Sequence, residues 1–163
     1  MYKTVSKCRL CGGAELASAF DLGVQHLTGV FPKSVDEKIT AGPVELVKCV
    51  AAGGCGLVQL RQSYNSDEMY GANYGYRSGL NPSMVRHLAS KVQAIVQSGV
   101  LRDGDVVVDI GSNDGTTLRA YPQGKYELVG IDPTGVKFAQ YYPPGIRLIP
   151  EFFSADAIAQ ALG

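Results

Sequence analysis

The chain lacks an excess of either charge: fifteen basic and fifteen acidic residues cancel to a formal net charge of zero. It also lacks a basic run that could follow a phosphate backbone, so nucleic acid is not expected as a partner. No apolar stretch reaches the length of a membrane span, so no membrane partner is expected either. The opening residues, Met1 to Lys7, contain no apolar signal-peptide core. These absences make the cytoplasm the expected location, where thiols stay reduced. What remains is a chain of 163 residues with 45% hydrophobic and 18% charged residues. That composition suits a packed globular core, as one ordinary domain or two small ones.

Cysteine is scarce but patterned. The four cysteines fall into two pairs, and glycine follows the second cysteine of each. Cys8-Arg9-Leu10-Cys11-Gly12-Gly13 is a Cys-x-x-Cys knuckle, a turn that aims two thiolates at one cation. Cys49 and Cys55 form a wider Cys-x5-Cys pair around Gly53-Gly54. Four thiolates close the coordination sphere of a structural Zn2+ ion and leave no position for catalytic water. A redox pair and buried free thiols are the alternatives. The redox reading suffers because Cys8 lacks the strand before it and the helix after it that such motifs use.

A second pattern starts where Val106-Val107-Val108-Asp109-Ile110 runs into Gly111-Ser112-Asn113-Asp114-Gly115. An apolar β-branched run enters a glycine-bounded turn, and a second run, Val129-Gly130-Ile131-Asp132, ends in an acid about twenty residues on. Asp109 and Asp132 both fall at carboxyl ends of expected parallel strands, the ligand edge of an open α/β sheet. A strand-turn-helix that binds nothing is the plain alternative, and the downstream acid weighs against it. The dinucleotide fingerprint would need glycine at position 113, which is Asn113 here, so a nicotinamide-dependent dehydrogenase is disfavoured.

The chain divides into three stretches. Residues 1–62 read as a small, loop-rich β unit with strands at Leu16 to Asp21, Val44 to Lys48 and Leu57 to Leu60. The stretch from Gly23 to Pro43 reads as loop with room for one edge strand. So few apolar residues make a poor core, which zinc would stabilise. Residues 63–80 read as a connector, with a short helix from Ser66 to Tyr70 capped by Ser66. After it, Tyr70, Tyr74 and Tyr76 alternate with glycines, as a ligand lid or as packing at a domain junction. Residues 81–163 open with Asn81 as N-cap and Pro82 at the first helical position. Met84, Val85, Leu88, Val92, Ile95 and Val96 recur at helical spacing, and Gly99 ends the run. His87 neighbours that stripe, where a lone histidine is more often structural than catalytic. Strands at Val106 to Ile110, Tyr126 to Ile131 and Arg147 to Pro150 then alternate with helices at Thr116 to Tyr121, Gly135 to Tyr141 and Ala155 to Leu162. That alternation predicts a Rossmann-like, doubly wound parallel sheet of the α/β class, with only about three strands. Half a sheet leaves a parallel edge open, so the chain is expected to be a fragment or to be completed by a partner.

The glycine turn followed by an acid resembles motif I of S-adenosylmethionine-dependent methyltransferases. More specifically, Cys-x-x-Cys-Gly, Asp21-Leu22-Gly23-Val24-Gln25, the second cysteine pair leading into Gly56-Leu57-Val58-Gln59-Leu60, Tyr74-x-Tyr76 and Ile110 to Gly115 occur in one order. This order resembles the zinc-containing sugar C-methyltransferases, over nearly the whole chain. The resemblance implies a zinc-bearing N-terminal unit followed by a methyltransferase domain, of which the first half is present. It implies Cys8, Cys11, Cys49 and Cys55 as zinc ligands. It implies Asp109, Gly111, Ser112, Asn113, Gly115 and Asp132 around S-adenosylmethionine, with Asp132 on the ribose. Tyr74, Tyr76 and Ser78 match a substrate-side stretch, and the substrate would be a nucleotide-linked keto-deoxysugar. The implied reaction is deprotonation next to a ketone and methyl transfer to carbon. Two departures stand out. The second cysteine pair is wider than the Cys-x-x-Cys usual at that place. The family's Glu-His segment is absent, which leaves Tyr76 and His87 as in-chain candidates for a base otherwise expected beyond residue 163. Another small-molecule acceptor, or a non-catalytic zinc-ribbon module, are the competing functions.

Overall fold

A computed structural model of the chain describes residues 2–71 and 74–163; Ala72 and Asn73, within the expected tyrosine connector, lie outside the described residues, as does Met1. The chain separates into two compact units, residues 1–75 and 76–163. It is an α/β protein with small antiparallel sheets in the first unit and a three-stranded parallel sheet in the second.

In the first unit, β1 (Tyr2–Thr4) pairs antiparallel with β5 (Gln62–Tyr64). A second sheet has the order β2 (Leu16–His26), β3 (Ala41–Cys49), β4 (Val58–Leu60), all antiparallel. The hairpin is longer than the sequence pattern suggests. β2 continues to His26 and β3 starts at Ala41, so both ends of the expected Gly23 to Pro43 loop are strand. The pattern is hidden by irregular register between Asp21 and Val24. There Gly23 adopts φ +67°, and its N–H donates to Asp21 Oδ1 at 2.8 Å. An irregularity of this kind flips the inward-outward alternation by which a strand is recognised. Pro43 is tolerated in β3 because β4 pairs only with Leu46 to Lys48, so no partner on that side needs its missing N–H. The cap of α1 (Ser66–Tyr70) also differs by one residue: Asn65, not Ser66, accepts the Glu68 N–H at 3.0 Å.

In the second unit, α2 (Pro82–Gln97) begins as its sequence signals require: Asn81 Oδ1 accepts from Ser83 N at 2.9 Å, and Pro82 occupies the first position. The sheet has the order β6 (Val106–Ile110), β7 (Glu127–Ile131), β8 (Ile146–Ile149), all parallel. Alternate residues of β7 feed two cores. Leu128 packs with Val92, Leu118, Tyr121 and Ile146 on one face. Val129 and Ile131 pack with Ile149 and Ala157 of α4 (Ala155–Leu162) on the other. Helices on both faces of a parallel sheet give the partial Rossmann-like arrangement. The two crossovers are shorter than their apolar patterns suggest. The expected helix from Thr116 to Tyr121 is a single 3₁₀ turn, Leu118–Ala120, and the next is α3 (Gly135–Phe138) running into another 3₁₀ turn. Buried Asp114 and Thr116 spend the preceding residues on side-chain hydrogen bonds instead of helix. Among the described residues, no helix is long and apolar enough to cross a membrane.

Candidate metal centre and cofactor turn

The first unit brings its four cysteines together. The Sγ atoms of Cys8, Cys11, Cys49 and Cys55 all lie within 4.8 Å of one another. Cys8 and Cys55 are 3.5 Å apart, and Cys11 and Cys49 are 3.6 Å apart. Four sulfurs at tetrahedral Zn–S distance would stand about 3.8 Å apart, so the cluster fits a zinc ion with little movement. Among the described residues every cysteine is free of disulfide.

Each knuckle is built locally. Cys8 N donates to Gly13 O at 2.8 Å and Gly12 N to Cys8 O at 2.9 Å, which closes the first turn. Arg9 ties that turn to the sheet, donating from Nη1 to the buried Gln59 Oε1 at 3.0 Å and from Nη2 to Ser63 Oγ at 2.8 Å. The wider second pair is accommodated by a turn in which Gly54 N donates to Ala51 O at 2.7 Å. Gly54 packs directly on the cysteine cluster: a Cβ there would lie 2.9 Å from Cys49 Sγ. The thiols are electrostatically unequal. The Cys11 N–H directed at Cys8, helped by that of Leu10 and by neighbouring thiols, lowers the Cys8 thiol to about 6. Cys55 goes the other way, to about 11: the Leu57 N–H pulls it down, but desolvation and the thiols of Cys8 and Cys11 outweigh it. Thiols held this close titrate as one coupled set, and a bound metal ion would hold all four as thiolates.

The second unit builds a tight turn at the carboxyl edge of its sheet. Gly111 leaves β6 at φ +74°, with open space where a side chain would stand. Asn113 is the one non-glycine residue with positive φ among the described residues, at +52°, a conformation asparagine tolerates better than most. The turn is braced from three sides. Asp132 Oδ2 accepts from Asn113 N at 2.9 Å, while Oδ1 accepts from Thr134 N at 2.7 Å and from the Thr134 hydroxyl. Tyr142 donates to Asn113 O at 2.9 Å and shares a 2.8 Å hydrogen bond with Ser112 Oγ. Burial pushes the Tyr142 hydroxyl up to about 12, against the pull of Ser112 and with the carboxylates of Asp132, Asp109 and Asp114 adding to the rise. Desolvation likewise raises Asp109 above the usual carboxylate range, opposed by a hydrogen bond from Thr117 and reinforced by Asp132.

Of the residues singled out by sequence, Asp109, Gly111, Ser112, Asn113, Gly115 and Asp132 surround this one turn. Tyr76 and Ser78 meet it through backbone: Asn113 Nδ2 donates to Tyr76 O at 3.1 Å, and Asn113 Oδ1 accepts from Ser78 N at 2.9 Å. Tyr74 belongs to the first unit, where its ring packs against Tyr70 at 5.7 Å and covers Gly29. His87 is exposed on α2. Sequence reasoning missed Tyr142, Asp114, Arg77 and Arg119. Tyr142 lies ten residues past Asp132 in a loop, where no spacing rule points to it. The turn tests well for an adenosyl ligand. Gly111 leaves backbone open to close approach, and Asp132 uses three of about four lone-pair positions, leaving one acceptor.

Residues 8–70 match a family model described as "putative zinc binding domain" of a methyltransferase family. The C-methyltransferase NovU of Streptomyces niveus is 29% identical over 156 residues, covering 94% of this chain and 36% of that protein. The chain therefore spans little more than a third of the curated relative's length. The chain is thus similar to a methyltransferase family's zinc-binding domain over residues 8–70 and, over most of its length, to a C-methyltransferase.

Proposed function

We propose that the chain is the zinc-bearing and cofactor-binding portion of an S-adenosylmethionine-dependent C-methyltransferase that acts on a nucleotide-linked keto-deoxysugar. The observation that carries the reading is the Gly111–Gly115 turn with Asp109 and Asp132 at adjacent strand ends, in a chain similar to a C-methyltransferase. In this reading Cys8, Cys11, Cys49 and Cys55 hold a structural zinc, which takes no part in the chemistry because all four coordination positions are filled by sulfur. The domains are a zinc unit at residues 1–62, a connector at 63–80 and the first half of a methyltransferase domain at 81–163. The chain works in a reducing compartment, the cytoplasm, where four thiols stay available to metal.

When bound, S-adenosylmethionine supplies an electrophilic methyl group. Asp132 offers its remaining lone pair to a ribose hydroxyl. Gly111 lets the ligand approach the backbone, and Asn113 and Ser112 hold the turn in shape beneath it. Tyr74, Tyr76 and Ser78 make up the stretch of sequence we assign to the sugar substrate. A base then removes a proton next to the substrate ketone, and the resulting carbon nucleophile must lie within about 3–3.5 Å of the methyl group. We assign that base to the portion of the protein beyond this chain. Tyr76 meets the turn through its backbone carbonyl, and His87 stands exposed on a helix.

The test is calorimetric binding of S-adenosylhomocysteine to the intact protein and its Asp132→Ala variant, with labelled methyl transfer to a nucleotide-linked keto-sugar. Loss of Asp132 should weaken binding by about 1–3 kcal/mol, the cost of removing a charged hydrogen-bond partner. Equal affinity in both proteins removes Asp132 from the site. Methyl transfer to an oxygen or nitrogen acceptor, but not to the keto-sugar, overturns the substrate class.

A further inference from the structure

The side chains of the turn grip a second stretch of chain. The Asn113 amide meets the carbonyl of Tyr76 and the N–H of Ser78, the pair of groups that a neighbouring β-strand would bond. Next to it, Asp114 Oδ2 accepts from Gly79 N at 3.0 Å and faces Arg77 Nε at 3.8 Å. Its other oxygen accepts from the N–H and hydroxyl of Thr116. Arg119 closes the network, donating to Asp114 O at 2.8 Å, to Tyr141 O at 2.7 Å and to Thr116 Oγ1 at 2.9 Å. The Arg77 guanidinium lies 4.1 Å over the Tyr141 ring. Residues 76–79 sit flush on this network, for a Cβ at Gly79 would lie 2.5 Å from Asp114 Oδ2 and 3.0 Å from Thr116 Oγ1.

Asp114 is 1% exposed. A carboxylate so buried is tolerated only while it is paired and hydrogen-bonded. Residues 77 and 79 supply two of its partners, so lifting the strap off the turn leaves a buried charge underserved. Strap and turn are therefore fixed together, and the strap carries Tyr76 and Ser78.

We propose that Asp114 is a positioning residue: it clasps residues 76–79 onto the turn, so that adenosyl-ligand binding there depends on the strap being docked. This rests on the cofactor reading above. Asp114 acts through its neighbours, holding Arg77 and Gly79 while Asn113 holds Tyr76 and Ser78.

The experiment uses the intact protein and three perturbations. Asp114→Asn removes the charge, Gly79→Ala wedges the strap outward with Asp114 left in place, and Arg77→Met is compared with the charge-keeping Arg77→Lys. Each is scored by S-adenosylhomocysteine affinity and by amide exchange of the peptide covering residues 76–80. Asp114→Asn and Gly79→Ala should each lower affinity about tenfold, the order expected for a lost charged hydrogen bond. Both should speed exchange in that peptide, and Arg77→Lys should recover most of what Arg77→Met loses. If exchange rises while affinity stays at the wild-type value, the strap is structural trim and the proposal is overturned. If Asp114→Asn does not fold, Gly79→Ala and the Arg77 pair decide by the same two readouts. Wild-type protein that binds no S-adenosylhomocysteine overturns the cofactor reading, and this proposal with it.

Discussion

Removing the metal should unfold the first unit and spare the second. Among the described residues, the buried apolar side chains of the first unit, cysteines aside, are Leu27 and Val47. Burying two such side chains contributes about 3–6 kcal/mol. A four-sulfur structural zinc contributes on the order of 10–16 kcal/mol in small metal-dependent domains. The metal therefore outweighs the apolar core of this unit, and β1 to β5 lack the burial to persist without it. The second unit has two hydrophobic clusters, around Leu128 and around Val129, and depends on no cysteine. A strong chelator should release one zinc per chain and abolish protection of amides in β2 and β3, while β6 to β8 stay protected. Cys11→Ser should do the same in milder form, since three ligands remain. The assay is zinc release followed by a chromogenic chelator alongside hydrogen exchange. Metal-free protein with full protection in β2 and β3 would refute the reasoning, because the fold would then rest on contacts other than the metal.

Two further perturbations probe the turn. Gly130→Ala would place a Cβ 2.5 Å from Ser112 Oγ and 3.0 Å from the Tyr142 ring; overpacking of that kind costs about 1–3 kcal/mol, and Ser112→Gly should recover part of it in urea denaturation, whereas simple additivity would show that the two residues do not collide. The raised Asp109 carboxyl means the folded chain holds a proton that the unfolded chain has released, so this group costs stability as pH rises through the interval between the ordinary carboxylate value and the raised one, and the cost is complete above it. Asp109→Asn should then be at least as stable as wild type at pH 7, with the difference shrinking as pH falls through that interval and gone below about 4, where both states of the wild type are protonated; a difference that grows in acid contradicts the assignment.

The parts of the fold legible in the sequence are those fixed by local rules. Asn81-Pro82 starts α2 and Ser154 caps α4, because a cap is a contact over two or three residues. Among the parallel strands β7 stands out most, because a strand covered on both faces is apolar along nearly its whole length. The paired cysteines stand out because a knuckle puts its ligands close in sequence. The strands β1 and β5 were not legible: three residues each with a single tyrosine, they exist through pairing between positions about sixty residues apart. The length of β2 was hidden by the irregularity at Gly23, which scrambles the alternation a reader would count.

The same division runs through the candidate site. Gly111, Asn113 and Asp132 belong to a spacing pattern, so the sequence points at them. Asp114, Arg77, Arg119 and Tyr142 follow no spacing, and their proximity depends on where α2 and the loop after α3 begin. Asp114 stands in the turn as an ordinary acid between Asn113 and Gly115, and nothing along the chain marks it as buried. Its burial follows from Gly79, whose missing side chain lets residues 76–79 lie against the turn. Gly79 in turn reads as one more glycine in a flexible connector. Two unremarkable residues, thirty-five positions apart, thus create the contact that ties the tyrosine segment to the turn. A site built in this way keeps its ligand-facing residues in a short motif and leaves their support dispersed, since any scaffold that delivers a donor at 3 Å to Asp114 satisfies the same buried charge.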